Sequence, residues 1–551
     1  MRHFHTGARI AAGTALIVTT ALALPAASTA TAAQESRTGP TQTYLVVYRS
    51  SATPADAASR ITSAGGTVVS DYDEIGVVVA RSDSTSFSDA VSRDARVDGV
   101  SSTAGFGTRV DGGSTDAADG QEAEPGPQPG SLPNTPASDT DSLSPLQWDM
   151  RQIHTPQAHA ITGGSPAVIV GDIDTGLDYR HPDLAQNVSS ADSANCLSGA
   201  PVPGSVAADD DNGHGTHTAG TIAAASNGVG IVGVAPNVKV AGIKAGNSEG
   251  YFFPEAVICS FMWAGDRHLD VTNNSYFADP WEYNCRNDAE QHAIWKAEQR
   301  AIKYAQSQGV TVVASAGNDS DDVSHPTTDV TSPDFPPGSE QERRITNACV
   351  VVPLEVSGVV GVSATGSMEQ DTSAGQYVDN LKSFYSSYGV SAVDVTAPGG
   401  DSIFNEFTNP VQGRVLSTWP VAALENCIAS RRVQEPAPDP TYGPVWYCYQ
   451  QGTSMASPHA AGVAALIVSR YGDTSNPDNG KMRPGRVASF LSQTADPQAC
   501  PNTLPPGYLD ITGVNSGAEQ ECQGGPGHNS WYGNGQVDAL NAVTGVSGNG
   551  D

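Results

Sequence analysis

Cationic side chains are scarce in this chain. Only six of its 551 residues are Lys, and Lys and Arg together number 28 against 59 Asp and Glu, a net charge of −31. A surface this acidic repels phosphate backbones and anionic lipid headgroups, which disfavours nucleic acid and membrane surfaces as partners. Cysteine is missing before residue 190; all eight lie beyond it, and no two have Cys-x-x-Cys spacing, which argues against a zinc ribbon. Long apolar runs are also lacking. The longest, Ile10 to Leu24, has 15 residues where a membrane span needs about 20, so no membrane anchor is expected.

What is present fits a secreted globular protein. Arg2 and Arg9, the Ile10–Leu24 run and the small residues Ala30-Thr31-Ala32 form an export signal with its cleavage site, assigned to residues 1–33. The cysteines agree with that address, because disulfides persist outside the cell. Cys427 with Cys448 and Cys500 with Cys522 are plausible local pairs, while Cys259 fits either a bridge or a buried thiol. At about 150 residues per domain, the length suggests three or four units.

Three regions follow the signal. Residues 42–106 alternate as βαββαβ, the split βαβ or ferredoxin-like order, and a unit this small leans on a partner surface. Residues 107–144 are read as a disordered acidic linker; 110–144 hold seven acidic residues, no Lys or Arg and no aromatic. Residues 145–551 alternate nearly continuous apolar strands with helices, the pattern of a mostly parallel sheet covered on both faces. Strands are expected over 167–173, 238–245, 269–275 and 310–317, and helices over 214–226, 254–266 and 287–308. Polar, Pro-rich stretches at 319–345 and 427–450 read as long surface loops.

Three short blocks carry chemistry. Gly452-Thr453-Ser454-Met455-Ala456 opens a run of small apolar residues, so Ser454 stands at a helix N-terminus; it is either an N-cap or a nucleophile beside groups that favour an oxyanion. Asn212-Gly213-His214-Gly215-Thr216-His217 offers a base. The spacing of His214 and His217 also allows a metal pair, although no Glu stands between them and no third ligand is apparent. Asp174 ends a strand before Thr175-Gly176, at the edge where an open parallel sheet presents its catalytic groups, or it is a turn former. Asp172, two positions earlier on the same strand face, either raises a neighbouring carboxyl pKa or binds backbone.

Asp174-Thr175-Gly176, His214-Gly215-Thr216-His217 and Gly452-Thr453-Ser454-Met455-Ala456 together resemble the signature blocks of the subtilisin-like serine proteases, in that family's order Asp, His, Ser. Tyr532-Gly533-Asn534-Gly535-Gln536-Val537-Asp538-Ala539 extends the likeness toward the end of the chain. The resemblance implies a three-layer α/β/α fold over 145–551, an inhibitory propeptide at 42–106, and a triad of Asp174, His214 and Ser454. It also implies an oxyanion hole from Asn318 and Ser454, and a substrate cleft lined by Ser275, Tyr276, Phe277, Ala316 and Gly317. Phe277 replaces a usual Gly and is expected to narrow that cleft.

A structural Ca2+ is implied too, with Asp183 and Asn227 giving side-chain oxygens, Ala225, Val229 and Ile231 backbone oxygens, and Gln147 one more; an ion-free polar loop is the alternative. The expected protein is a secreted monomer that cuts polypeptides after its propeptide is removed within 104–147. It is either a broad scavenger or a selective processing enzyme. A silent peptide-binding relative and a carboxylate-pair hydrolase using Asp172 and Asp174 are the rival readings. The first should have lost a triad residue, and the second needs carboxylates facing each other across a substrate.

Overall fold

The computed structural model describes residues 38–104, 108–109, 135–276, 281–330, 342–370, 380–436, 443–473, 480–511 and 520–548. The expected export signal therefore lies outside the described residues, and so does Phe277. None of the described helices is long and apolar enough to cross a membrane.

The N-terminal unit runs β1 (Thr38–Tyr48), α1 (Ala57–Ser63), β2 (Gly66–Tyr72), β3 (Val77–Ser84), α2 (Phe87–Val91) and β4 (Val97–Ser102). Its sheet order is β2-β3-β1-β4, with β3 and β4 antiparallel to β1, the ferredoxin-like arrangement. After it, β5 (Thr108–Arg109) leaves the small sheet and pairs elsewhere.

The large unit is built on six parallel strands. They are β6 (Ile169–Asp174), β7 (Lys239–Lys244), β9 (Val271–Asn274), β10 (Thr311–Ser315), β11 (Val360–Glu369) and β12 (Val395–Pro398), in the order β7-β6-β9-β10-β11-β12. Between β7 and β9 come β8 (Tyr251–Phe252), which pairs antiparallel with β5, and α4 (Pro254–Asp266). Helices α3 (His214–Ala223) and α6 (Thr453–Tyr471) pack with Val170, Val240, Val271 and Val313 on one face of the sheet. Helices α4 and α5 (Ala289–Ser307) pack with Ile173, Ile243, Val312 and Ala314 on the other. Adjacent strand residues thus divide between two cores, which is why these strands read as continuously apolar. Local signals mark the helix starts: Pro254 fills the first position of α4, and the Asp288 carboxylate caps α5 by accepting from the Glu290 and Gln291 N–H groups.

The small unit leans on α4 and α5. Leu45, Val47, Tyr72, Ile75, Val77 and Val79 join the core those helices form, each such buried side chain contributing about 1.5–3 kcal/mol. Arg300 on α5 donates to the carbonyls of Tyr48 and Ile75 (both 2.9 Å), Tyr72 Oη donates to Gly199 O (2.8 Å), and Lys296 pairs with Asp98.

Two expectations are corrected here. Residues 135–144 are not linker: Leu143 is buried, its N–H donates to Gly230 O (2.6 Å), and Asp141 accepts from the Asn227 and Gly228 N–H groups. Their backbone groups find partners that a free tether lacks. Nor is 427–450 a plain loop. Residues 432–435 and β14 (Val445–Gln450) form a three-stranded antiparallel sheet with β13 (Val415–Trp419), burying Val445, Tyr447 and Tyr449. Four disulfides close the chain, Cys196–Cys259, Cys285–Cys349, Cys427–Cys448 and Cys500–Cys522, so Cys259 is not a free thiol.

Candidate active site

Asp174 is the last residue of β6, and its carboxylate has two partners. Oδ1 accepts from the Thr175 N–H (2.7 Å) and from His214 Nδ1 (2.8 Å), and Oδ2 lies 3.0 Å from the same nitrogen. Bonded at Nδ1, the neutral ring leaves Nε2 as the acceptor. Asp174 is fully buried and His214 nearly so, so their interaction is little weakened by solvent.

The start of α3 is fixed from outside the helix. Its N-cap is Gly213, which has no side chain to offer, so Thr175 Oγ1 accepts the Gly215 N–H (2.9 Å) and Asp210 accepts the Thr216 N–H (2.9 Å). Gly215 is required, because a Cβ there would come within 2.2 Å of Gly176 O. His217 is directed elsewhere: its Nε2 takes the Cys448 carbonyl as partner (3.0 Å), and burial pushes its pKa down to about 3. A His214–His217 metal pair is thereby ruled out.

Ser454 is the second residue of α6, where backbone N–H groups have no intrahelical acceptor. Its hydroxyl donates to Ser275 O at 3.4 Å, a long contact. Four residues on, Pro458 has no N–H to give the Ser454 carbonyl, and Ser275 Oγ takes that place at 3.2 Å. Ser275 thus ties the end of β9 to the first turn of α6.

Asn318 follows β10 by three residues. Its Oδ1 accepts from Thr453 Oγ1 (3.3 Å), while its Nδ2 is buried with no hydrogen-bond partner among the described residues. A buried amide donor left open costs about 1–3 kcal/mol unless something fills it. Gly317, at φ +105°, sets this turn, and Ala316 is buried beneath it.

Tyr276 departs from expectation. Its ring is buried, stacked on Phe252 at 4.5 Å, with Oη donating to Asn274 Oδ1 (3.1 Å). Its side chain therefore belongs to the core and only its main chain is left for the cleft.

Of the expected calcium ligands, several side chains are engaged within the protein, while Asp183 Oδ1 is buried with no hydrogen-bond partner among the described residues. Gln147 spends its amide on Val232, accepting from N and donating to O, both at 3.0 Å. Asn227 Oδ1 accepts the Val229 N–H (3.0 Å), and Asp183 Oδ2 accepts from Ile231 N (3.1 Å) and Tyr447 Oη (2.9 Å). Burial pushes the Asp183 carboxyl up to about 8, while the Ile231 N–H and the Tyr447 hydroxyl that donate to it pull the other way. The loop including Ala225, Val229 and Ile231 is closed by Tyr447 from β14, a residue no local signal would have singled out. Sequence reading also missed a cluster of His154, Asp496 and Asp538, in which His154 Nδ1 lies 2.5 Å from Asp538.

Residues 165–535 match the model of the Subtilase family. The chain is 28% identical over 340 residues to an alkaline protease of Alkalihalobacillus alcalophilus, covering 61% of this chain and 63% of that protein's length. It is also 28% identical over 334 residues to subtilisin BL of Lederbergia lenta, covering 60% and 87%. Among solved structures it resembles the epidermin leader peptide processing serine protease of Staphylococcus aureus (TM-score 0.57, 19% identity, 92% of this chain and 98% of that one). Fervidolysin of Fervidobacterium pennivorans is a similar neighbour in fold (TM-score 0.55, 22% identity, 92% and 61%).

Proposed function

We propose, because the chain belongs to the subtilase family, that it is a serine endopeptidase using Ser454, His214 and Asp174. Ser454 Oγ attacks the scissile carbonyl as His214 Nε2 takes its proton. The imidazolium, held through Nδ1 by Asp174, then delivers that proton to the leaving amine. The carbonyl oxygen, now negative, moves to the Asn318 amide and the Ser454 N–H. Water repeats the sequence to release the acyl group. The observation that carries this reading is the unfilled Asn318 Nδ2, buried beside the turn that presents Ser454. No step requires a metal.

We further infer that residues 42–106 are an inhibitory propeptide. Their docking on α4 and α5 supports this, as does β5, which runs as an added strand against β8 just beyond the unit. Export is supported by the N-terminal segment and by four disulfides with no free thiol. Broad degradation of extracellular protein is the reading in line with the alkaline protease and subtilisin relatives. Products from a diverse peptide library test it: many cuts with a loose common preference support it, and one or two permitted sequences make the enzyme a selective processing protease.

A further inference from the structure

Asp172 is a carboxyl group in the middle of the sheet with no cationic side chain paired with it among the described residues. It is fully buried and faces the α3/α6 side, as Val170 and Asp174 do. Its register partner on β9 is Asn273. Asn273 Nδ2 donates to Asp172 Oδ1 (2.9 Å), and Asn273 Oδ1 accepts from Ser457 Oγ (2.6 Å) on α6. On the other side Asp172 Oδ2 lies 2.7 Å from Thr218 Oγ1 on α3. Thr218 stands one turn after His214, and Ser457 one turn after Ser454. Two strands and two helices therefore meet at this carboxyl group.

We propose that Asp172 is a positioning residue that, as a neutral carboxylic acid, sets the helix carrying His214 against the helix carrying Ser454. This rests on the serine-protease reading above. The hydrogen-bond geometry accommodates the acid form. Thr218 Oγ1 has a second acceptor in Gly215 O (3.1 Å), so its proton can go there while it accepts the Asp172 O–H. Every group is then satisfied in one direction: Asp172 to Thr218, Thr218 to the first turn of α3, and Asn273 to Asp172. An ionised Asp172 would instead be a second buried anion two residues from Asp174. Burial disfavours ionisation most strongly and the charges of Asp174 and Asp210 push the same way, against the opposing pull of the Asn273 and Thr218 hydrogen bonds.

The test compares Asp172→Asn, Asp172→Val, Thr218→Val and the Asp172→Val/Thr218→Val double variant in the full secreted chain, with Ser454→Ala as control. Asn reproduces a neutral acid, since its amide donates to Thr218 and its carbonyl accepts from Asn273. We expect Asp172→Asn to keep kcat within about threefold and to leave the acid limb of kcat/KM in place. Asp172→Val and Thr218→Val should each lower kcat about tenfold or more with KM nearly unchanged, because small misplacements of reacting groups act on kcat. The double variant should lose far less than the product of the two, since both partners are then apolar while Asn273 Nδ2 keeps Ser275 Oγ at 3.2 Å.

Three results would overturn the proposal. An acid limb moved to lower pH in Asp172→Asn would mean that Asp172 is charged and acts on His214. Asn as damaging as Val would mean that the neutral acid is not the working form, and Asp172→Val indistinguishable from wild type would mean that the bridge is idle. Turnover persisting in Ser454→Ala would instead refute the protease reading itself.

Discussion

Asn318→Ala should lower catalysis while leaving stability nearly unchanged. In the resting enzyme its Nδ2 is buried and unpartnered, and only its Oδ1 is engaged, accepting from Thr453 at 3.3 Å. Removing the amide relieves an unsatisfied donor, a gain of about 1–3 kcal/mol, and strands one hydroxyl at a cost of similar size. The melting temperature should therefore stay within a few degrees of wild type. The transition state, by contrast, loses a preorganised donor to the oxyanion. That loss is worth about 10²–10³ in kcat, or about 2.7–4 kcal/mol, a range established with a subtilisin. KM should hardly move, since the oxyanion exists only after attack. Steady-state kinetics on a chromogenic peptide amide, with a thermal melt of the same preparation, reads both quantities. Unchanged kcat with raised KM, or a large drop in melting temperature with kcat intact, would refute the assignment.

Other outcomes follow from the same contacts. Tyr447→Phe removes the hydroxyl that closes the Asp183 loop and should cost about 1–3 kcal/mol of stability by denaturant titration; an unchanged midpoint would mean that something else closes it. Glu298 is buried on α5 with neither carboxyl oxygen bonded among the described residues, and burial pushes its pKa up to about 8. Between about pH 4.5 and 8 the folded chain keeps a proton that the unfolded chain releases, so this group lowers stability as pH rises through that window. Glu298→Gln should accordingly raise the melting temperature more at pH 9 than at pH 5, and an equal gain at both would contradict the protonated state. Arg300→Ala removes the guanidinium that holds the Tyr48 and Ile75 carbonyls, and should weaken retention of the cleaved N-terminal unit about tenfold or more, measured as its inhibition of the mature enzyme.

Local pattern carried most of the framework. Helices expected over 254–266 and 287–308 are found at 254–266 and 289–307, where the structure shows Pro254 opening the first and Asp288 capping the second. The same holds for Asp174, His214 and Ser454, each flanked by the Gly or small residues its turn requires, and for the Cys427–Cys448 and Cys500–Cys522 pairs, whose loops are short. What escaped was long-range. Tyr447 meets Asp183 across 264 residues and Cys448 O meets His217 across 231, so a Pro-rich segment read as a surface loop proved to be a sheet bracing α3 and the Asp183 loop. The buried ring of Tyr276 was illegible for the same reason, since its partner Phe252 lies on another strand. The two roles considered for Asp172 needed Thr218 and Asn273 in place before either could be judged.

The most direct test of the account is mass spectrometry of the full-length wild-type chain as expressed and of Ser454→Ala, alone and after incubation with a diverse peptide library. The account predicts that wild type yields a mature N-terminus within residues 104–147 and cuts the library, while Ser454→Ala retains the N-terminal unit uncut and cleaves nothing. Library cleavage that persists in Ser454→Ala would contradict the central claim.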